Sequence, residues 1–193
     1  MVELFSDIIK RCRQGDRKAQ EAVYNLLAGK MFAVCLRYCA NYEVAKDLLH
    51  DGFVTIFTKI EQFNNTGSFE GWVRRIFVNN AVEWCRNKAK FTMVECDENN
   101  DKYFVEPEPN DEDIGAYRLT EVDLLEMVEK LPQQYKIVFN LYAIEGLSHK
   151  EIAVKLGISE GTSRSNLLRA RAILQKQVRN RVDSIPVRSN AVN

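Results

Sequence analysis

The sequence predicts an all-α chain of two helical domains joined by a flexible acidic linker. Three observations lead there. Apolar residues recur at helical spacing almost everywhere except one stretch. Only nine glycines and four prolines occur among 193 residues, too few for a turn-rich β fold. The 27 basic and 27 acidic side chains cancel overall but not locally. Residues 1–94 hold 14 basic and 10 acidic groups, 95–118 hold 2 and 9, and 119–193 hold 11 and 8. Two mildly basic blocks flanking an acidic one suit polyanion-binding modules on a tether.

The first domain is expected over 1–94 as four helices. Residues 4–14 and 17–40 supply two of them. In the third, Ala45, Leu48, Leu49, Gly52, Phe53, Ile56, Phe57 and Ile60 line one face, while Lys46, Asp47, His50, Asp51, Thr55 and Lys59 lie away from it. Asn64-Asn65-Thr66-Gly67-Ser68 reads as a turn, with Ser68 as N-cap of the fourth helix. There Phe69, Trp72, Val73, Ile76, Phe77, Asn80, Ala81 and Trp84 form the inward stripe, leaving Arg74, Arg75, Val78, Asn79, Glu83 and Arg86 more exposed. The linker, 95–118, contains Pro107 and Pro109 and no sustained apolar period.

The second domain is expected over 119–182. Pro132 helps open a helix with Tyr135, Val138, Phe139 and Tyr142 on one face, and Gly146 closes it. Ser148 and Glu151 fit a capping box before a short helix with Ile152, Ala153 and Leu156 inward. Gly157 breaks it, and Ser159 caps a longer helix with Ser163, Leu167, Ala170, Ile173 and Leu174 inward. Residues 183–193 read as a disordered tail.

Composition and motifs exclude several function classes. The longest apolar run, Met31 to Leu36, falls far short of the roughly 20 residues needed to cross a bilayer. The N-terminus lacks the basic and apolar blocks of a secretory signal, so a cytoplasmic protein without membrane insertion is expected. The five cysteines include no C-x-x-C pair, and only His50 and His149 could complete a metal site. Cys35 and Cys39 read as buried thiols, and neither a metal nor a cofactor is expected. No phosphate-binding glycine loop, nucleophile elbow or H-E-x-x-H motif occurs, so the chain is not expected to be an enzyme.

What remains is nucleic-acid chemistry. Two helices joined by a short glycine turn, the second rich in outward polar and basic groups, form a helix-turn-helix. Thr162, Arg164, Ser165, Asn166 and Arg169 are its outward candidates. Arg164 suits guanine and Asn166 adenine through paired hydrogen bonds. The plainer reading of the same face is a solvated surface on a three-helix bundle. In the first domain Phe69, Trp72, Phe77 and Trp84 alternate with Arg74, Arg75, Asn79, Arg86, Lys88 and Lys90. Rings beside cations suit unpaired bases, but most of these rings also belong to the core stripe.

The segment from Leu131 to Thr162, with Pro132, Phe139, Gly146, Ser148, Glu151, Ile152, Ala153, Leu156, Gly157 and Ser159, resembles region four of the extracytoplasmic-function sigma factors of bacterial RNA polymerase. Ala45, Asp47, Leu48, Asp51 and Phe53, then Phe69, Trp72, Ile76 and Asn79, resemble that family's region two. The likeness covers about residues 4–91 and 119–180. It implies that Asp47, His50 and Asp51 bind the β′ clamp helices of core RNA polymerase. It also implies that Asn64, Asn65, Arg74, Arg75, Asn79, Arg86, Lys88 and Lys90 grip and help open the minus-ten element. Thr162, Arg164, Ser165, Asn166 and Arg169 would read the minus-thirty-five element, with the opposite face on the β flap. An anti-sigma factor is the further partner implied. The chain departs from the family pattern at Gly52, Ser163 and Asn166, where Val, Val and Arg are frequent, and at Glu83, where Asp is common. The alternative functions are a stand-alone helix-turn-helix regulator and an adaptor that docks on a protein without touching DNA.

Overall fold

The computed structural model describes residues 2–89 and 119–183. The linker expected over 95–118 and all of the expected tail beyond Asp183 lie outside them. The chain divides into two units, Met1–Met93 and Val94–Asn193, and the described residues of both are built from helices alone.

The first unit holds α1 (Val2–Arg13), α2 (Arg17–Cys39), α3 (Tyr42–Lys59), a short 3-10 turn (Ile60–Gln62) and α4 (Phe69–Ala89). Their ends follow local chemistry. Gly15, at φ +78°, turns the chain out of α1, and the Asp16 carboxylate then caps α2 by accepting from the Lys18 and Ala19 amides at 2.8 and 3.3 Å. Asn41 caps α3 through the Val44 amide at 3.0 Å. Ser68 caps α4 as expected, its hydroxyl accepting from the Gly71 amide at 3.0 Å. The core joins Val23, Leu27, Met31 and Tyr38 of α2 to Ala45 and Ile56 of α3 and to Val73, Phe77 and Ala81 of α4.

On α4 the buried stripe is rotated from the expected one. Val78, expected outside, is 5% exposed, and Val82 and Cys85 are buried with it. Trp72, Ile76, Asn80 and Trp84 form a half-buried line along the edge. The cause is packing on two sides: α4 lies against both α2 and α3, so its apolar face must be wider than a single-stripe reading allows. Leu49 and Phe57 of α3 are likewise half-buried rather than internal.

The second unit holds α5 (Glu121–Glu129), α6 (Gln133–Phe139), a π-helical segment (Asn140–Ile144), α7 (His149–Leu156) and α8 (Glu160–Asp183). Thr120 and Asp123 form a capping box on α5, a helix the sequence reading did not single out. The box expected at Ser148 and Glu151 is present, Gly157 ends α7 in the left-handed conformation at φ +70°, and the Ser159 hydroxyl accepts from the Thr162 amide at 2.9 Å. The α6 face differs from expectation. Ile137, Val138 and Leu141 are buried, whereas Tyr135, Phe139 and Tyr142 are half-exposed. Lys136 is also buried, its Nζ donating to the Glu129 carbonyl at the end of α5, where a cation suits the helix terminus. On α8, Ser163, Leu167 and Ala170 are buried as expected, while Ile173 and Leu174 are half-buried.

Candidate nucleic-acid and polymerase interfaces

The polar face of α3 brings Asp47, His50 and Asp51 together, all exposed, at the three- and four-residue spacing that places side chains on one side of a helix. Val54, 52% exposed, continues that face by one turn. It is an apolar surface residue absent from both the expected core and the expected site. Its only signal in the sequence is its spacing from His50 and Asp51.

The loop before α4 is held from both sides. The Arg13 guanidinium donates to the Phe63 carbonyl at its start. Phe63, Phe69 and Trp72 pack under it with ring centroids 5.3 to 5.8 Å apart. Within the loop, Asn64 Oδ1 accepts from the amide and the hydroxyl of Thr66, and Asn65 takes a left-handed φ of +62°. Both asparagines are exposed, but Asn64 spends its side-chain oxygen on shaping the turn. Along α4, Arg75, Asn79, Arg86 and Lys88 are exposed and Arg74 is half-exposed; Lys90 lies outside the described residues. Lys88 Nζ sits 4.8 Å from the centre of the Trp84 ring, a cation over an aromatic face. Phe69 and Phe77 are core residues, so of the four rings considered for base contact only Trp72 and Trp84 reach the surface.

In the second unit α7, the Gly157 turn and α8 have helix-turn-helix connectivity. Arg164 is exposed near the start of α8 and pairs with Glu160 at 3.0 Å. The Thr162 hydroxyl lies 2.9 Å from that of Ser159, and the Ser165 hydroxyl donates to the Thr162 carbonyl at 3.2 Å. These two hydroxyls are half-exposed and engaged within the helix start; Arg169 is half-exposed further along. Asn166 corrects the expected set. It is 5% exposed, and its Oδ1 is buried without a hydrogen-bond partner. Three residues beyond Ser163 and one before Leu167, it falls on the face α8 turns to the bundle, so its amide is not offered outward.

One group of residues was not foreseen. The Tyr142 ring stacks on His149 at 4.7 Å, the Arg171 guanidinium lies 5.7 Å from the same ring, and His149 Nδ1 is 2.9 Å from the Ser163 hydroxyl. Burial, then the Arg164 and Arg171 charges, hold the His149 imidazole below its ordinary value, with Glu160 opposing. Among the described residues no cluster of metal-ligating side chains occurs. Cys35 and Cys39 are buried, and burial pushes the Cys35 thiol up to about 12. No described helix is long and apolar enough to cross a membrane.

The family model for Sigma-70 region 2 matches residues 23–91, and that for Sigma-70, region 4 matches residues 121–174. Over 186 residues the chain is 26% identical to the ECF RNA polymerase sigma-E factor of Haemophilus influenzae, covering 92% of this chain and 98% of that one. The chain belongs to the extracytoplasmic-function sigma factors. Among such sigma factors it is also 30% identical over 164 residues to SigE of Mycolicibacterium smegmatis, covering 83% of this chain. That match spans 63% of the longer relative. A solved sigma factor, RpoE of Bartonella quintana in complex with the anti-sigma factor NepR, is similar at 20% identity and a TM-score of 0.48, covering 82% of this chain and 96% of that one. The region 2 match takes in most of α2, then α3, the loop and α4 of this sigma factor, and the region 4 match takes in α5 to α7 and α8 as far as residue 174.

Proposed function

We propose that this chain is an alternative sigma factor that binds core RNA polymerase, recognises minus-ten and minus-thirty-five promoter elements and directs transcription initiation. The observation that carries the proposal is the order of the two family regions, 2 then 4, on one chain. A stand-alone regulator has no use for the first, and neither region is catalytic machinery.

Asp47, His50 and Asp51 are the proposed contacts with the β′ clamp helices, supported by their shared exposed face on α3. Asn65, Arg75, Asn79, Arg86 and Lys88 are the proposed minus-ten contacts, supported by exposure beside the Trp72 and Trp84 edge. Asn64, Arg74 and Lys90 join them on the family resemblance. Opening a base pair and holding the base out costs a few kcal/mol, which suits a factor working with a polymerase that adds its own DNA contacts. Arg164 is the proposed base reader at the minus-thirty-five element, with Thr162, Ser165 and Arg169 towards the backbone. The β flap is the proposed partner of the opposite face of this unit, and an anti-sigma factor the proposed inhibitor. The place of action is the cytoplasm, where the polymerase works.

Reconstituted transcription tests this directly. Purified protein plus core RNA polymerase on promoter fragments from its own genome is expected to give specific start sites that core alone does not. Absence of binding to core would overturn the reading in favour of the stand-alone regulator.

A further inference from the structure

We propose that His149 is a positioning residue for the recognition helix, seating α8 against the π turn through Ser163 and Tyr142, and that minus-thirty-five DNA is bound with uptake of a proton at this ring. The inference rests on the sigma reading of α8 and goes beyond it, because His149 is placed in no DNA contact.

The geometry comes first. His149 opens α7, stacks on Tyr142 of the π segment with 22° between the ring planes, and meets the Ser163 hydroxyl at 2.9 Å. One side chain therefore ties three elements together. Ser163 is fully buried and precedes Arg164, so this contact fixes the rotation of α8 about its axis and with it the direction of Arg164. A π-helical segment is an uncommon backbone form found often at functional sites, and here it carries the ring on which His149 rests.

The same seat accepts either protonation state. A neutral Nδ1 accepts from the serine hydroxyl, and a protonated one donates to the serine oxygen. The charges acting on the ring all come from α8: Arg164 and Arg171 disfavour the cation, and Glu160 favours it. The packed π segment presents the Tyr142 phenol, and the nearby Glu151 carboxylate is committed to the Ser148 cap. Burial first and the Arg164 and Arg171 charges next hold the ring of the free protein towards its neutral form. The phosphate charge of a duplex held along α8 offsets the repulsion that the ring feels from Arg164, itself on a base edge, and from Arg171, so the complex holds the proton more tightly than the free chain. Affinity must then rise as pH falls through the ordinary histidine range, and be independent of pH above it.

The chain contains only two histidines, so both can be followed by NMR in the full-length protein, with exposed His50 of the other unit as internal reference. The probe is the duplex mapped upstream of the start sites found by reconstituted transcription. On adding it, the His149 signal is expected to titrate about one pH unit higher, and Kd to fall by up to about tenfold from about pH 7.5 to about pH 5.5. H149Q, which keeps a polar partner for Ser163 but cannot titrate, is expected to bind with a Kd independent of pH. H149A is expected to be equally flat and weaker throughout, which separates seating from titration. An unmoved His149 signal in a saturated complex, or the wild-type pH dependence in H149Q, would overturn the proposal. Absence of start sites in reconstituted transcription would overturn the sigma reading, whereas failure of the mapped duplex to bind at any pH would overturn this proposal alone, so the two results are distinguishable.

Discussion

Gly52 is a residue whose replacement tests how the first unit is assembled. It sits in α3 where α4 crosses it, and a Cβ added there would lie 2.1, 2.5 and 2.7 Å from three carbons of the Phe77 ring. That ring is fully buried and stacked edge-on against Phe53 at 5.4 Å, so it has no open side into which to swing. Two terms compete in Gly52→Ala. The helix gains roughly 1 kcal/mol from losing a glycine. Overpacking a filled core costs about 1 to 3 kcal/mol. With three ring atoms well inside contact distance the upper part of that range applies, leaving a net loss of about 1 to 2 kcal/mol. For a unit of this size that corresponds to a fall in Tm of about 4 to 16 °C. Gly52→Val, the residue frequent in relatives, should lose more.

The assay is urea unfolding of the full chain followed by tryptophan fluorescence. Both tryptophans, Trp72 and Trp84, lie on α4, so the signal reports the first unit alone. Because the cost arises between two named side chains, Phe77→Leu should be less harmful in the Gly52→Ala background than in the wild type. The two changes are then coupled rather than additive. A Gly52→Ala protein as stable as wild type, or strict additivity with Phe77→Leu, would refute the close-approach account. Since α3 carries the proposed polymerase face and α4 the proposed minus-ten face, this seam also sets how the two are presented.

Further expectations concern the second unit. Arg164→Ala should cost roughly 1 to 3 kcal/mol at the cognate minus-thirty-five element and relax preference at one base position, measured by competition between duplexes; equal binding by both proteins would remove Arg164 from the readers. Asn166→Leu replaces a buried amide whose oxygen lacks a partner, so it should stabilise the unit by up to about 1 kcal/mol in a denaturant melt while leaving duplex preference unchanged; altered preference would restore Asn166 as a reader. Thr120 hydrogen bonds and the Arg181 guanidinium at 2.6 Å hold the Asp123 carboxyl down at about 2. The α5 cap and its tie to α8 should therefore be fully present above the ordinary aspartate range and lost only as pH falls towards about 2. Carboxyl NMR showing an ordinary Asp123 titration would contradict this.

Most elements and their ends follow from local chemistry along the chain, with α5 the helix that went unread. Asp16, Asn41, Ser68, Ser148 and Ser159 are short polar side chains that satisfy helix-terminal amides within a few residues, and Gly146 and Gly157 supply left-handed turns. Such interactions are local, so they are written in order along the chain. The order of the family's motifs, and with it the functional class, was legible for the same reason. The tertiary structure alone decided which side of each helix is inside. One period describes a helix packed on one neighbour, whereas α4 meets two, so Val78 is buried and Trp84 reaches the edge. Asn166, expected outward with Arg164 and Arg169, lies three residues after Ser163 and four before Ala170, on the side that α8 buries. The Tyr142, His149, Ser163 and Arg171 group lay beyond sequence reasoning because it joins side chains from three elements, and no spacing along one helix encodes a contact between three.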